Sequence, residues 1–426
     1  MMAPYSDEPS ATDPASGQVV VIGGGIVGLA TVHALLRDGH RTVLVDPGIA
    51  NQRCSYGNAG SISAGSVAPL GMPGVFRQVP GWLLNAQSPL RVSPGYWPRA
   101  IPWLTRFVLA SRPDRVERIS RALKPLLTDS IQRYRRLLGE LDALDLLSET
   151  GQLQLYPSDS YRDQDARVWA LRRDRGVAVQ YVERGEILEL EPSIGERYTC
   201  GVHLPNEGLI VNPARLVDTL ATRFGELGGK VVTARARGFH VEAGRVQGVE
   251  TDAGRYPAKA VVVAAGAWSN ELSRQLGDNL PLQTQRGYHL TFPSPRIRIG
   301  RVVVAVDKKC FISPLEEGLR VAGTVEFDGL GAKPNMARTH ALRTAIEALL
   351  PGVETSDASA WMGNRPCFPD SMPVIDRATH HANVFYAFGN GHLGLTGAPM
   401  TGQLIADLVS GRSPTIDIAP FSATRF

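Results

Sequence analysis

Cysteine is scarce in this chain. Four are present among 426 residues: Cys54, Cys200, Cys310 and Cys367. They are far apart and form no CxxC pair, so neither a zinc knuckle nor a disulfide framework is indicated, and no metal site is expected. A reducing, cytoplasmic setting is the simplest expectation. Long apolar runs are missing too. None approaches the roughly 18 residues that cross a bilayer. Charge of one sign is also in short supply. The formal net charge is +4, and no Lys/Arg run is dense enough to track a nucleic acid. Repeats and low-complexity tracts are absent. The opening MMAPYSDEPSATDPASGQ lacks the basic start and apolar core of a secretory signal. It reads as a disordered leader over 1–17.

What is present is enough apolar material, over a length that suits two domains. Residues 18–46 read QVVVIGGGIVGLATVHALLRDGHRTVLVD. Val19 to Ile22 is a short β-branched strand. Gly23, Gly25 and Gly28 then match GxGxxG, with Ile26 and Val27 between the last two. A helix runs to Arg37 and is ended by Gly39; a second strand, Arg41 to Val45, closes on Asp46. The spacing has a physical reason. Gly23 permits the tight turn, Gly25 lets a pyrophosphate approach the backbone, and Gly28 lets helix pack on strand. The helix N-terminus faces the phosphates. Asp46 can accept from ribose hydroxyls and would repel a 2′-phosphate, which argues against NADP. A glycine turn without ligand is the competing reading, but the full βαβ context favours the nucleotide.

Two later stretches extend the pattern. GLIVNPARLVDTLATRFGELGGKVV reads as turn, helix and strand, and KAVVVAAGAWSNEL as a strand ending in a tight turn, with an alternating hairpin between them. GNGHLG, Gly389 to Gly394, follows the strand VFYAFG and opens a helix. It lacks the strand and acid of a second nucleotide unit. It reads instead as a helix start aimed at something negative. With no second complete βαβ, the substrate itself should supply the hydride.

Taken together, CSYGNAGSISAGSVAPLGMPGVFRQVPGWLL, RGYHL, GLRVAGTVEF, GNRPCFPDSMPVI and YAFGNGHLGLTGAPMTG, in this order, resemble the D-amino-acid dehydrogenase family within the D-amino-acid oxidase superfamily. The branch with glyphosate oxidoreductase and D-hydroxyproline dehydrogenase-like proteins is the most similar. The resemblance runs from about Val19 to the C-terminus. It implies FAD. Val231 would back the adenine, and Ala265 and Gly266 would lie against the dinucleotide. Ser55, Asn58, Ala59 and Gly60 would belong to the loop that wraps it, although a turn-capping Asn is the alternative at 58. Gly389, Asn390, Gly391, His392, Leu393 and Gly394 would lie under the flavin ring. His392 is read equally as a helix-start residue bonded to backbone. No cysteine matches the position of a covalent flavin link, so non-covalent FAD is expected. Asn364 and Asn390 depart from the residues usual in the branch.

The implied fold class is α/β (α+β): a Rossmann-like FAD-binding domain, from 18–80, 190–278 and 358–426, interleaved with a substrate domain, 81–189 and 279–357. Within the latter, LKPLLTDSIQRYRRLLGELDAL has the spacing of one amphipathic helix. RGYHLTF, RVVVAV, FISPL and LRVAGTVEF read as strands of one antiparallel sheet. Trp82, Tyr96, Trp97 and Trp103 alternate with Arg91, Arg99 and Arg106, a mix that suits a peripheral contact on the inner membrane face or a helical cover over the core.

Arg365 lies in WMGNRPCFPDSMPVID among apolar neighbours. A guanidinium there needs an anion. By the resemblance, the arginine of a GxRP stretch pairs with a substrate carboxylate; a salt bridge to Asp370 or Asp376 is the structural alternative. Tyr288 and His289 are candidates for holding the amine or side chain, and only one of the two can face the pocket of an alternating strand. The expected reaction is oxidative deamination of a D-amino or cyclic imino acid. Hydride passes from the alpha carbon to flavin N5, the imine hydrolyses to an oxo acid, and electrons go to quinone or oxygen. The alternatives are a glycine-type secondary amine oxidase, including glyphosate oxidoreductase activity, and the flavin subunit of a multi-chain dehydrogenase.

Overall fold

The computed structural model describes residues 17–49, 52–74 and 90–426. The leader up to residue 16, and Trp82 of the Trp/Arg-rich stretch, lie outside the described residues. Val19–Ile22 is apolar and buried at every position, as a strand covered on both faces must be. It pairs in parallel with Thr42–Asp46 on one side and Ala260–Val263 on the other. The full order is Lys230–Thr233, Thr42–Asp46, Val19–Ile22, Ala260–Val263, Val384–Phe388, Val374–Arg377. Only the last strand is antiparallel to its neighbour. The chain thus leaves Val19–Ile22 first to one side and later to the other. That switch point, at the carboxyl ends of the two central strands, opens a crevice.

The helices Ile26–Arg37 and Gly394–Val409 share one face of this sheet, tightly enough that a Cβ at Gly402 would meet the Ala30 carbonyl oxygen at 2.6 Å. A three-stranded antiparallel sheet, Ala236–Glu242, Arg245–Thr251 and Gly254–Pro257, packs its apolar residues with those of the other face.

The larger sheet runs Ser359–Cys367, Gln283–Phe292, Gly318–Phe327, Cys310–Leu315, Val302–Ala305, Gln152–Tyr156, Cys200–Leu204, Gln180–Glu183. It is mostly antiparallel; Val302–Ala305 runs parallel to Gln152–Tyr156. Leu342, Ala345, Ile346 and Leu349 of the His340–Leu349 helix pack on its apolar face. Ser359–Cys367 and Cys200–Leu204, which the sequence division assigned to the dinucleotide side, are strands of this sheet. Ser359–Cys367 pairs with Gln283–Phe292 from Gln283↔Cys367 to Thr291↔Ser359, a long-range register that no local pattern announces.

One other expectation needs correction, and one pair of alternatives is decided at Trp103. The amphipathic stretch after residue 122 is two helices, Pro113–Leu127 and Ser130–Gly139, because Asp129 adopts φ +59° and breaks the i→i+4 ladder. In the helix Trp97–Ala110, Trp103 is 4% exposed, stacks on Phe107 and donates from Nε1 to the Cys367 carbonyl at 3.2 Å. Trp103 is a core anchor; the exposed apolar residues of this helix are Ile101 and Leu109.

Candidate active site

The first glycine turn forms the floor of a cavity at the switch point. Gly23 has φ +113°, and a Cβ there would meet the Ala264 carbonyl oxygen at 2.4 Å. A Cβ at Gly28 would lie 1.9 Å from the Gly23 carbonyl oxygen. Gly25 is different. Its nearest neighbour would be Ser55 Oγ at 3.5 Å, so the space before it belongs to the cavity. The helix that follows has no side-chain cap and no acid in its first turn. Its partial positive charge is therefore left for an anion. The Ile26 N–H donates to Ser55 Oγ at 2.9 Å. Asp46 Oδ2 accepts from the Gly24 N–H at 2.6 Å, and Oδ1 accepts from the Gly48 N–H and Arg53. Three of about four acceptor sites are filled, which leaves room for one further donor such as a ribose hydroxyl. Sequence reading missed the Arg53 pair.

Gly23, Gly25, Ile26, Val27, Asp46, Ser55, Asn58, Ala265, Gly266, Asn390, Gly391 and Gly394 line this cavity together, joined by Arg235, Arg237, Trp268 and Cys54. An open front at Gly25, an uncapped helix and a residual acceptor at Asp46 fit a dinucleotide. Others of the expected set stand behind the wall. Gly28, Ala59 and Gly60 are not among the lining residues. Asn58 Oδ1 accepts from the Gly60 N–H at 2.8 Å, so its side chain caps a turn. Gly389 backs onto Phe368, and His392 and Leu393 lie outside the lining. Val231 is a correction. It is 48% exposed on the edge strand Lys230–Thr233 and faces solvent, while the downstream Arg235–Arg237 segment reaches the cavity.

Arg365 lies beside this space on Ser359–Cys367, paired with Gln285. Its guanidinium lies across Gly287: a Cβ at 287 would fall 2.1 Å from it. Nη1 donates to the Thr324 carbonyl at 3.1 Å. Among the described residues no carboxylate pairs with it. Asp370 is held by Arg425 at 2.8 Å, and Asp376 accepts from Ser422 Oγ and the Ala423 N–H. The salt-bridge alternative therefore has no carboxylate at either proposed position. Desolvation pulls the pKa of Arg365 down from its ordinary value.

His289 shares the face of Gly287. Its Nδ1 donates to the Gly57 carbonyl at 2.9 Å and its ring stacks on Trp361 at 4.9 Å. Burial first, then the charges of Arg320 and Arg365, push its pKa down to about 3. His392, outside that lining, has an exposed surface. Desolvation by the surrounding protein and then the Arg365 charge push it down to about 3 as well. Both rings are neutral at working pH. Tyr288 is a correction. It faces the opposite side, where its hydroxyl donates to Glu326 at 2.5 Å and accepts from the Asn335 N–H. The period of two places it in the core beneath the sheet. Burial pushes the Cys54 and Cys367 thiols up to about 12, against the pull of Arg365.

Sequence reading also missed Glu207. It is 3% exposed; Oε1 accepts from the Gly65 N–H at 2.8 Å, and Oε2 is buried with no hydrogen-bond partner among the described residues. The loop it holds reaches the last helix, since the Ser63 N–H donates to Thr396 Oγ1. Burial raises the Glu207 carboxyl to about 7, opposed by the Gly65 amide and Arg172.

The sequence profile of the family described as FAD dependent oxidoreductase (DAO) matches residues 18–408. A D-amino-acid oxidase of Bradyrhizobium diazoefficiens is 38% identical over 420 residues, 97% of this chain and 100% of that protein. A D-amino acid dehydrogenase of a Methylobacterium species is 32% identical over 421 residues, 96% and 99% of the two chains. Among solved structures, glycine oxidase from Geobacillus kaustophilus superposes with a TM-score of 0.74 at 24% identity, covering 96% of this chain and 99% of its own.

Proposed function

Because the chain belongs to the FAD-dependent oxidoreductase family, we propose that it oxidises a D-amino or imino acid to the imine, which hydrolyses to an oxo acid. The observation that supports this reading is Arg365, a guanidinium with no carboxylate partner among the described residues, set beside a dinucleotide cavity. FAD, when bound, supplies a hydride acceptor. Gly25, the uncapped helix start and Asp46 would hold its pyrophosphate and ribose. Arg365 offers a planar fork for the substrate carboxylate. Its Nη1 is fixed by the Thr324 carbonyl and its plane by Gly287, so the substrate is oriented rather than merely attracted. His289 and His392, both neutral, leave Arg365 as the charge the substrate meets. A cationic site disfavours an ammonium, so the substrate nitrogen gives its proton to solvent and binds with its lone pair free.

FAD would be held without a covalent bond, since Cys54 and Cys367 stay protonated thiols at neutral pH. Electrons would leave to quinone or oxygen; oxygen uptake without an added acceptor separates the two. No helix of the described residues is long and apolar enough to cross a membrane. A peripheral contact would run through Ile101 and Leu109, and failure to co-sediment with anionic vesicles would remove it.

Arg365→Lys tests the main reading. It keeps the charge and loses the fork. Losing a buried charged pair costs on the order of 2–5 kcal/mol, so kcat/KM for a D-amino acid should fall at least tenfold. The corresponding amino-acid amide should be a poor substrate of both proteins, and FAD content should be unchanged. Equal fractional losses on acid and amide would mean that Arg365 does not hold the carboxylate.

A further inference from the structure

Arg365 is flanked by two polar atoms that the reading above leaves unused. Gln285 is its direct cross-strand partner and so shares its sheet face. Gln285 is 4% exposed, and its Oε1 is buried with no hydrogen-bond partner among the described residues. Thr324, whose carbonyl receives Arg365 Nη1, has a buried Oγ1 that is also unpartnered. Buried polar atoms of this kind cost stability and are uncommon. Thr324 also has φ +65°, at the register shift opposite Arg286–Tyr288. A β-branched residue in the left-handed region is strained, and such strain collects at ligand sites. Two orphaned oxygens, one of them on a strained residue, thus belong to the cross-strand partner of Arg365 and to the residue whose carbonyl it meets, and no carboxylate among the described residues is paired with it.

We infer that Gln285 Oε1 and Thr324 Oγ1 accept the two N–H groups of a neutral primary amine while Arg365 holds the carboxylate, so that the site selects primary amino acids over their N-alkyl and cyclic imino counterparts. This rests on Arg365 as the carboxylate clamp. The amine lies one carbon from the clamped carboxylate, within reach of groups beside the guanidinium. Two acceptors satisfy both hydrogens of an NH2 and leave its lone pair free to form the C=N bond. A secondary amine brings one N–H and leaves one oxygen still orphaned. A simple carboxylate brings none.

The test compares wild type with Gln285→Met and Thr324→Val, as FAD-loaded full-length protein. Three quantities are read: kcat/KM for a primary D-amino acid over its N-methyl derivative, Kd of a simple aliphatic carboxylate followed by the flavin spectrum, and Tm. Wild type should prefer the primary amine. Each variant should lower that preference about 2- to 10-fold, the worth of one neutral hydrogen bond. Carboxylate Kd should hold within about twofold, and Tm should stay level or rise because an unpaired buried oxygen is gone. A preference unchanged in both variants overturns the inference. So does loss of carboxylate binding in step with the amine, or a fall in Tm, since either would give these oxygens a different partner. If wild type binds no simple carboxylate, or Arg365→Lys binds it equally well, the clamp itself has failed.

Discussion

Glu207 is where a single residue carries a measurable consequence for the whole chain. Its carboxyl rises from an ordinary 4.5 to about 7, chiefly through burial. An acid whose folded pKa is raised favours folding in its protonated form. That contribution is complete below about 4.5 and is lost as pH climbs towards 7. The interval corresponds to on the order of 3 kcal/mol at most. Tm of the wild type relative to Glu207→Gln should therefore decline between pH 5 and pH 7.5. Glu207→Gln, neutral throughout, lacks that loss and should be the more stable protein at pH 8. A pH–Tm series on both proteins checks it; parallel curves would show that Glu207 is ionised when folded. His289 and His392 act in the opposite sense in both proteins: neutral when folded but protonated below about 6.5 when unfolded, they add stability as pH rises to that point, so the difference between the two curves is what reports Glu207.

On the strand Gln283–Phe292, successive side chains divide the molecule's labour. Gln285, Gly287 and His289 face the site, while Arg286 and Tyr288 join Glu326 in a buried network below. The sequence predicts that Tyr288 and His289 oppose each other, because a strand alternates with period two. Which of them faces the site depends on the register with Ser359–Cys367, a pairing across about 70 residues with no local signature. Gly287 shows the same dependence. In sequence it is one glycine in RGYHL; in the sheet it is the seat of the Arg365 guanidinium. Gly287→Ala places a methyl group where that guanidinium lies. The arginine must leave its seat, and kcat/KM for the acid substrate should fall at least about tenfold. Normal FAD content in the same preparation would separate this from misfolding. Unchanged kcat/KM would show that the guanidinium works equally well elsewhere.

Across the whole molecule the cavity draws its lining from the first glycine turn, from Arg235–Arg237, from Ala264–Gln275 and from Asn390–Leu395. A ligand bound there ties together segments that are far apart in the chain. Ligand that binds only the folded state stabilises by mass action, about 2.7 kcal/mol at a hundredfold excess over Kd. Tm should rise with added FAD, and acid or heat denaturation should release the flavin intact into the supernatant. Flavin retained on the precipitated protein would point instead to a covalent bond, with Cys54 as the cavity thiol to map.

The sequence by itself determined the βαβ unit, its three glycines and the acid at its end, because all of that chemistry is local. Steric demands at Gly23 and Gly28 and the helix start at Ile26 are met within about 30 residues. It also determined the family and the isolation of Arg365 among apolar neighbours. Only the tertiary structure decided what surrounds that arginine. Asp370 and Asp376, near it in sequence, are taken by Arg425, Ser422 and Ala423, so proximity along the chain named the wrong partners. Gln285, Thr324, Gly287 and Glu207 carry no motif. Their roles come from strand register and from burial, which are set by pairings between distant segments. A side chain's hydrogen-bond vacancy, the observation on which the site's chemistry rests, exists only once those segments have closed around it.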